Sequence, residues 1–170
     1  IAHKGGGTLT IKDPNTASPT YIPINNNITG ENNNGILLNG SAATTKLVIG
    51  DRNKTLKDNI TYNIGSSTTI TKESNGIRVT KGIAEINNVT FNVGAGTSNT
   101  TLDYNNNGIL ADTADSELTV YSSTFNIKNY ENNGIVISNT NTKAHEVLHS
   151  KFTISNDYNY TVGNENNYDN

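Results

Sequence analysis

Apolar residues in this chain do not recur at helical spacing; they come in short groups separated by single polar residues. Leu9 and Ile11, Ile22 and Ile24, Ile60 through Ile64, Val89 through Val93, Leu118 and Val120, Phe125 and Ile127, and Phe152 and Ile154 all alternate in this way. Period two with branched and aromatic side chains, bounded by Asn and Gly, is the pattern of strands and turns. Strong helix formers are sparse, and the abundant Asn, Thr and Gly disfavour helix interiors. The chain is therefore expected to be all-β.

The groups repeat. An Asn-Gly-Ile signature occurs at Asn34-Gly35-Ile36, Asn75-Gly76-Ile77, Asn107-Gly108-Ile109 and Asn133-Gly134-Ile135, each followed two residues later by Leu38, Val79, Ala111 or Ile137. Upstream of each lies a second pair, Ile22/Ile24, Tyr62/Ile64, Phe91/Val93 and Phe125/Ile127, with a fifth copy at Phe152/Ile154. A third pair precedes the second: Leu9/Ile11, Leu47/Ile49, Ala84/Ile86, Leu118/Val120 and His145/Val147. Three short strands per repeat, each with two inward residues, predict a right-handed parallel β-helix of about four to five coils. Equivalent residues then stack about 4.8 Å apart. The expected ladders are Ile22, Tyr62, Phe91, Phe125 and Phe152; Ile24, Ile64, Val93, Ile127 and Ile154; and Ile36, Ile77, Ile109 and Ile135. Asn-Gly tolerates positive φ, so it is expected to form a sharp corner before the third strand, with stacked Asn amides bonding along the axis. A sandwich would be the competing all-β fold, whereas disorder would not keep Ile and Phe in phase.

Residues 1–170 read as one such segment. A solenoid exposes strand edges at both ends unless they are capped, and neither the first nor the last ten residues look like an amphipathic cap. The expectation is a section of a longer solenoid that, alone, pairs end to end.

Composition narrows the function. Of 170 residues, 31 are Asn and 24 Thr, while 16% are charged and the formal net charge is −3. A nucleic-acid surface needs clustered Lys and Arg, which this balance does not supply. Cysteine is absent, excluding disulfide scaffolds, thiol catalysis and cysteine zinc sites. No apolar run approaches the ~18 residues of a spanning helix.

Four chemical candidates stand out. His145-Glu146-Val147-Leu148-His149 matches the His-Glu-x-x-His zinc signature, but that chemistry requires a helix, and Val147 falls in phase with strand positions Ile86 and Val120. No metal ligand set and no cofactor is expected. Among the carboxylates, only Asp112 and Asp115 are close neighbours, in a loop with no Arg or His expected at the same depth; solvated loop acids are the reading. Tyr104 and Tyr130 each stand four residues before a repeat glycine, so they would lie side by side, as a structural ladder or a platform for sugar rings. Gly5-Gly6-Gly7 lacks the Lys-Ser/Thr of a phosphate loop. No catalytic residue is assigned.

The in-phase Phe-x-Ile and Asn-Gly-Ile repeats, the missing Cys and the Asn/Thr-rich connections resemble the passenger region of bacterial autotransporter adhesins, of the Asn-heavy type found in fusobacteria. The resemblance spans roughly Leu9 to Ile154 and rests on no catalytic signature. It implies a non-enzymatic surface protein of Gram-negative bacteria, exported through its own outer-membrane β-barrel and contacting a receptor or glycan on host or bacterial cells. The expected contact loops are Lys12–Thr20, Asp51–Asn59, Ala95–Thr101 and Ala111–Ser116, which vary most between repeats. The alternative is a polysaccharide-binding or polysaccharide-cleaving β-helix enzyme.

Overall fold

The computed structural model describes residues 1–12, 24–28, 33–53, 60–65, 73–94, 106–128, 132–138 and 140–155. Every regular element among them is a strand: β1 Ala2–His3, β2 Thr8–Ile11, β3 Ile24–Ile28, β4 Asn33–Asn39, β5 Lys46–Ile49, β6 Ile60–Ile64 and β7 Ser74–Asn87, followed by β8 Val89–Val93, β9 Asn106–Ala111, β10 Ser116–Tyr121, β11 Thr124–Lys128, β12 Asn132–Ile137, β13 His145–Leu148 and β14 Lys151–Ser155. All pairings are parallel. β3, β6, β8, β11 and β14 form a five-stranded sheet in that order. The other nine form a second sheet with two arms, one running β1, β4, β7, β9, β12 and the other β2, β5, β7, β10, β13.

β7 belongs to both arms because its first half carries the Asn-Gly-Ile pattern and its second half the Ala84/Ile86 pair. Gly82 lies between the halves at φ 120°, and a Cβ there would stand 2.6 Å from the Thr45 carbonyl oxygen. Glycine lets this strand turn from one arm into the other without interruption.

The registers match the repeats. Tyr62, Phe91, Phe125 and Phe152 are aligned, as are Ile64, Val93, Ile127 and Ile154. Ile36, Ile77, Ile109 and Ile135 form the third line. Leu9, Leu47, Ala84, Leu118 and His145 form a fourth. Their inner faces share one core, in which Tyr62, Phe91, Phe125, Ile36, Ile77 and Ile109 are fully buried. The aromatic rings stack face to face, with centroids 5.3, 4.9 and 4.6 Å apart from Tyr62 to Phe152.

Two expectations are corrected. Ile24 pairs with Ile60 and Ile28 with Ile64, so Ile22 and Ile24 are not partners of Tyr62 and Ile64. The expected register would have put Pro23, which has no N–H to donate, in the middle of the pairing; the observed one starts the strand after it. Asn-Gly is not a positive-φ corner either. Gly35, Gly76, Gly108 and Gly134 sit inside strands without positive φ, and among the described residues the left-handed ones other than glycine are Asn88, Ser122 and His149, at φ 59°, 49° and 52°. These three separate β7 from β8, β10 from β11 and β13 from β14, which puts a sharp turn one strand earlier in those repeats, as Gly50 at φ 72° does between β5 and β6.

Candidate functional site

A group of charged side chains grows from the outward face of β7. Its Arg78 is aligned with Leu37 on β4 and Leu110 on β9, so its aliphatic stem crosses an otherwise apolar row. The guanidinium lies between two carboxylates. Asp112, just beyond β9, accepts from Nε at 3.1 Å and from the terminal nitrogen at 2.8 Å, and Glu73, just before β7, lies 3.5 Å from the other terminal nitrogen. Glu73 also accepts from the Asn75 amide at 2.9 Å. The three charged side chains are only 22–31% exposed. Charge-assisted bonds of this kind are shorter and stronger than neutral ones and fix the planar guanidinium.

This overturns the expectation that Asp112 is a solvated loop acid without an arginine at its depth. Arg78 is opposite Leu110, two residues from Asp112, so the side chain reaches diagonally across the strand pair. A separation of 34 residues hides that contact from any local reading of the sequence. Asp115 does behave as expected: it is 54% exposed, with Lys81 Nζ 4.0 Å away. The connection between β9 and β10 is also tied down. Ser116 Oγ donates to the Thr113 carbonyl at 2.8 Å, Thr113 donates to the Thr80 carbonyl, and the Asn141 amide donates to the Thr113 and Ser116 carbonyls at 2.7 and 2.9 Å. Ala111–Ser116 is therefore a braced turn.

Chemically, the cluster anchors and orients. Glycoside cleavage places two carboxylates on either side of a scissile bond with room for a sugar. Here an arginine fills the space between them.

The remaining candidates separate in space. His145 lies in β13 opposite Leu118, facing the core, while Val147 lies opposite Val120 as the repeat required. Both imidazole nitrogens of His145 are buried without a hydrogen-bond partner among the described residues, and burial lowers its pKa against a weaker opposing influence from Glu117. His149 occupies the turn after β13 and packs edge-on against Tyr121, ring centroids 5.3 Å apart. The two histidines therefore face different surroundings. Tyr121 also receives the Arg52 guanidinium over its ring, 4.8 Å from the centroid, a cation–π contact with no signature in sequence spacing. Tyr104 and Tyr130 lie outside the described residues, as do 13–20, 54–59 and 95–101 of the expected contact loops.

Polar rows run along the stack. Asn75 donates to Asn34 at 2.9 Å, Asn107 to Asn75 at 2.9 Å and Asn133 to Asn107 at 3.1 Å, the amide ladder expected of the repeated Asn. A second row, on the outer face of the five-stranded sheet, links Asn126 to Asn92 and Asn92 to Asn63, each at 2.8 Å. Serine hydroxyls brace the turns: Ser123 Oγ accepts from the Val89 amide at 3.3 Å, and Ser150 Oγ from the Ser123 amide at 3.2 Å.

No protein-family model, curated protein or solved structure matches this chain.

Proposed function

We propose that the two parallel sheets close into a right-handed parallel β-helix of about four to five coils, and that this chain is a non-enzymatic stalk segment of a surface protein. Right-handed crossing is the rule for parallel strands joined through a connection. The observation that carries the reading is the continuity of the ladders, aromatic, aliphatic and amide, through successive repeats. Such a stack gives length and stiffness with little apolar sequence, since each repeat buries its inner face on the next. Its composition and repeat style support an autotransporter adhesin passenger on the face of a Gram-negative outer membrane, exported through its own barrel. Its partner would be a receptor or glycan on another cell, met by connections that vary between repeats, Lys12–Thr20, Asp51–Asn59 and Ala95–Thr101.

The polysaccharide-acting alternative would need Glu73 and Asp112 as its carboxylate pair, across the space that Arg78 occupies. An incubation with a glycan panel separates the two. Retention without new reducing ends or unsaturated products supports the adhesin; turnover that disappears in Asp112→Asn establishes the enzyme. If deletion of the three connections leaves cell and glycan binding unchanged, the contact assignment is wrong.

A further inference from the structure

The two ends of the strand stack are complementary edges. At one end β1, β2 and β3 each pair on one side only, and at the other β12, β13 and β14 do the same, among the described residues. The order is the same at both ends: two strands from the arms of the larger sheet and one from the smaller. Ile135, Ile137, Leu148 and Ile154, exposed by 42, 45, 37 and 41%, are the exposed large hydrophobics among the described residues, and all lie on the β12 to β14 end. Ile135 and Ile154 continue ladders that are fully buried one repeat earlier, at Ile109 and Ile127. The opposite end offers Ile1, Leu9, Ile11 and Ile28, which pack against the core and are only partly covered.

We propose that a second copy of this chain docks head to tail on this surface, its β1, β2 and β3 adding in parallel to β12, β13 and β14. The internal registers dictate the contacts. Ile135 meets the neighbour's Ile1, His145 its Leu9, Val147 its Ile11 and Ile154 its Ile28. Backbone polarity agrees. Lys46 donates to the Gly7 carbonyl and Gly50 to the Ile11 carbonyl, so in β2 alternate residues, Thr8 and Thr10, turn their backbone groups to the free edge. Ser138 donates to the Ala111 carbonyl, which leaves the Ile137 backbone turned outward at the other end. Joining two β12–β14 ends instead would reverse strand direction and bring the three strands round in the opposite order, so the parallel registers of the stack would not continue across the joint. Strands of four to six residues and sheets about 10 Å apart give an end of roughly 400 Å² per copy. The total for two copies, roughly 800 Å², is below the ~1,200 Å² of stable standard interfaces. Association is therefore weak and concentration-dependent, and a head-to-tail contact without closure grows linear chains.

Sedimentation velocity of the full chain from low micromolar to near-millimolar concentration tests this, with two blocked variants. Thr10→Pro removes an outward N–H from β2, and Ile137→Lys charges the β12 edge; circular dichroism checks that each keeps its strands. The wild type should form a concentration-dependent series of oligomers, each variant alone should stay monomeric, and their equimolar mixture should stop at dimer. Ile154→Lys replaces Ile137→Lys if that variant loses its strands. Wild type that is monomeric throughout, because another segment or partner covers this end, overturns the proposal. So does dimerisation of Thr10→Pro alone, which would mean a tail-to-tail contact.

Discussion

The carbonyl oxygen of Gly108 lies 2.6 Å from where a methyl group on Gly76 would sit, and the Phe91 ring lies 3.3 Å from the same point. Gly108 stands in the same relation to the carbonyl of Gly134, at 2.6 Å, and to Ile127 and Phe152, at 3.0 and 3.1 Å. The glycine of each Asn-Gly-Ile repeat is thus a matter of space. Its missing side chain lets the strand backbone close on the aromatic stack.

Gly76→Ala and Gly108→Ala should each destabilise the fold by about 2–3 kcal/mol, the upper part of the overpacking range. Gly134→Ala should cost less, because its nearest neighbour is a Phe152 ring carbon at 3.3 Å and no backbone atom opposes it. Urea unfolding of the three variants checks the ordering. Equal costs would show that the opposing carbonyl oxygen does not set the requirement for glycine.

The Asn ladder gives a second ordering. Asn107 is 4% exposed, donates to Asn75 and accepts from Asn133. Asn107→Ala strands a buried acceptor below and a donor above, and should cost about 2–4 kcal/mol. Asn126 belongs to the half-exposed outer row, where water can replace its bond to Asn92. Asn126→Ala should therefore cost under about 1 kcal/mol. Similar losses in thermal or urea unfolding would refute the distinction.

Residues whose inward position is marked by an alternating apolar neighbour were legible in the sequence: the lines through Phe91, Ile77 and Leu118 could be aligned across variable loops because each strand carries two of them. The first repeat is ambiguous in sequence because Ile22, Ile24 and Ile28 offer two equally alternating or near-alternating choices, and only the pairing requirement around Pro23 separates them. The role of Gly in Asn-Gly is not legible locally, because a preference for positive φ is a property of the dipeptide, whereas the close approach of Phe91 is a property of the stack. Arg78 with Asp112, and Arg52 with Tyr121, join distant parts of the chain through outward positions, where no hydrophobic pattern marks which residues become neighbours.

Tyr62 is the one fully buried phenol in a line of phenylalanines, and its hydroxyl has no hydrogen-bond partner among the described residues. Burial pushes its pKa well above the usual phenol range. Tyr62→Phe removes an unsatisfied polar group while keeping the ring stack with Phe91, and should stabilise the protein by about 1 kcal/mol. A higher urea midpoint with an unchanged slope is the expected result; a loss of stability would mean that the hydroxyl has a partner after all.

His145 makes the last repeat sensitive to acid. It occupies a position that is Leu9, Leu47, Ala84 and Leu118 in the others, and burial holds its pKa below the ordinary value of 6.5. As pH falls through that value, the unfolded chain takes up the proton before the folded one does. Stability from this residue is therefore complete above about pH 7, declines below about pH 6.5 and stops changing once pH passes the lowered folded pKa. His145→Leu restores the repeat's apolar residue and should remove this part of the pH dependence. The measurement is unfolding stability of both proteins at neutral and mildly acidic pH, taken as a difference so that carboxylate titration cancels. Wild type should lose stability relative to His145→Leu on acidification, and amide exchange in 145–148 should quicken first. A constant difference between the two proteins would show that the imidazole is not held neutral in the stack.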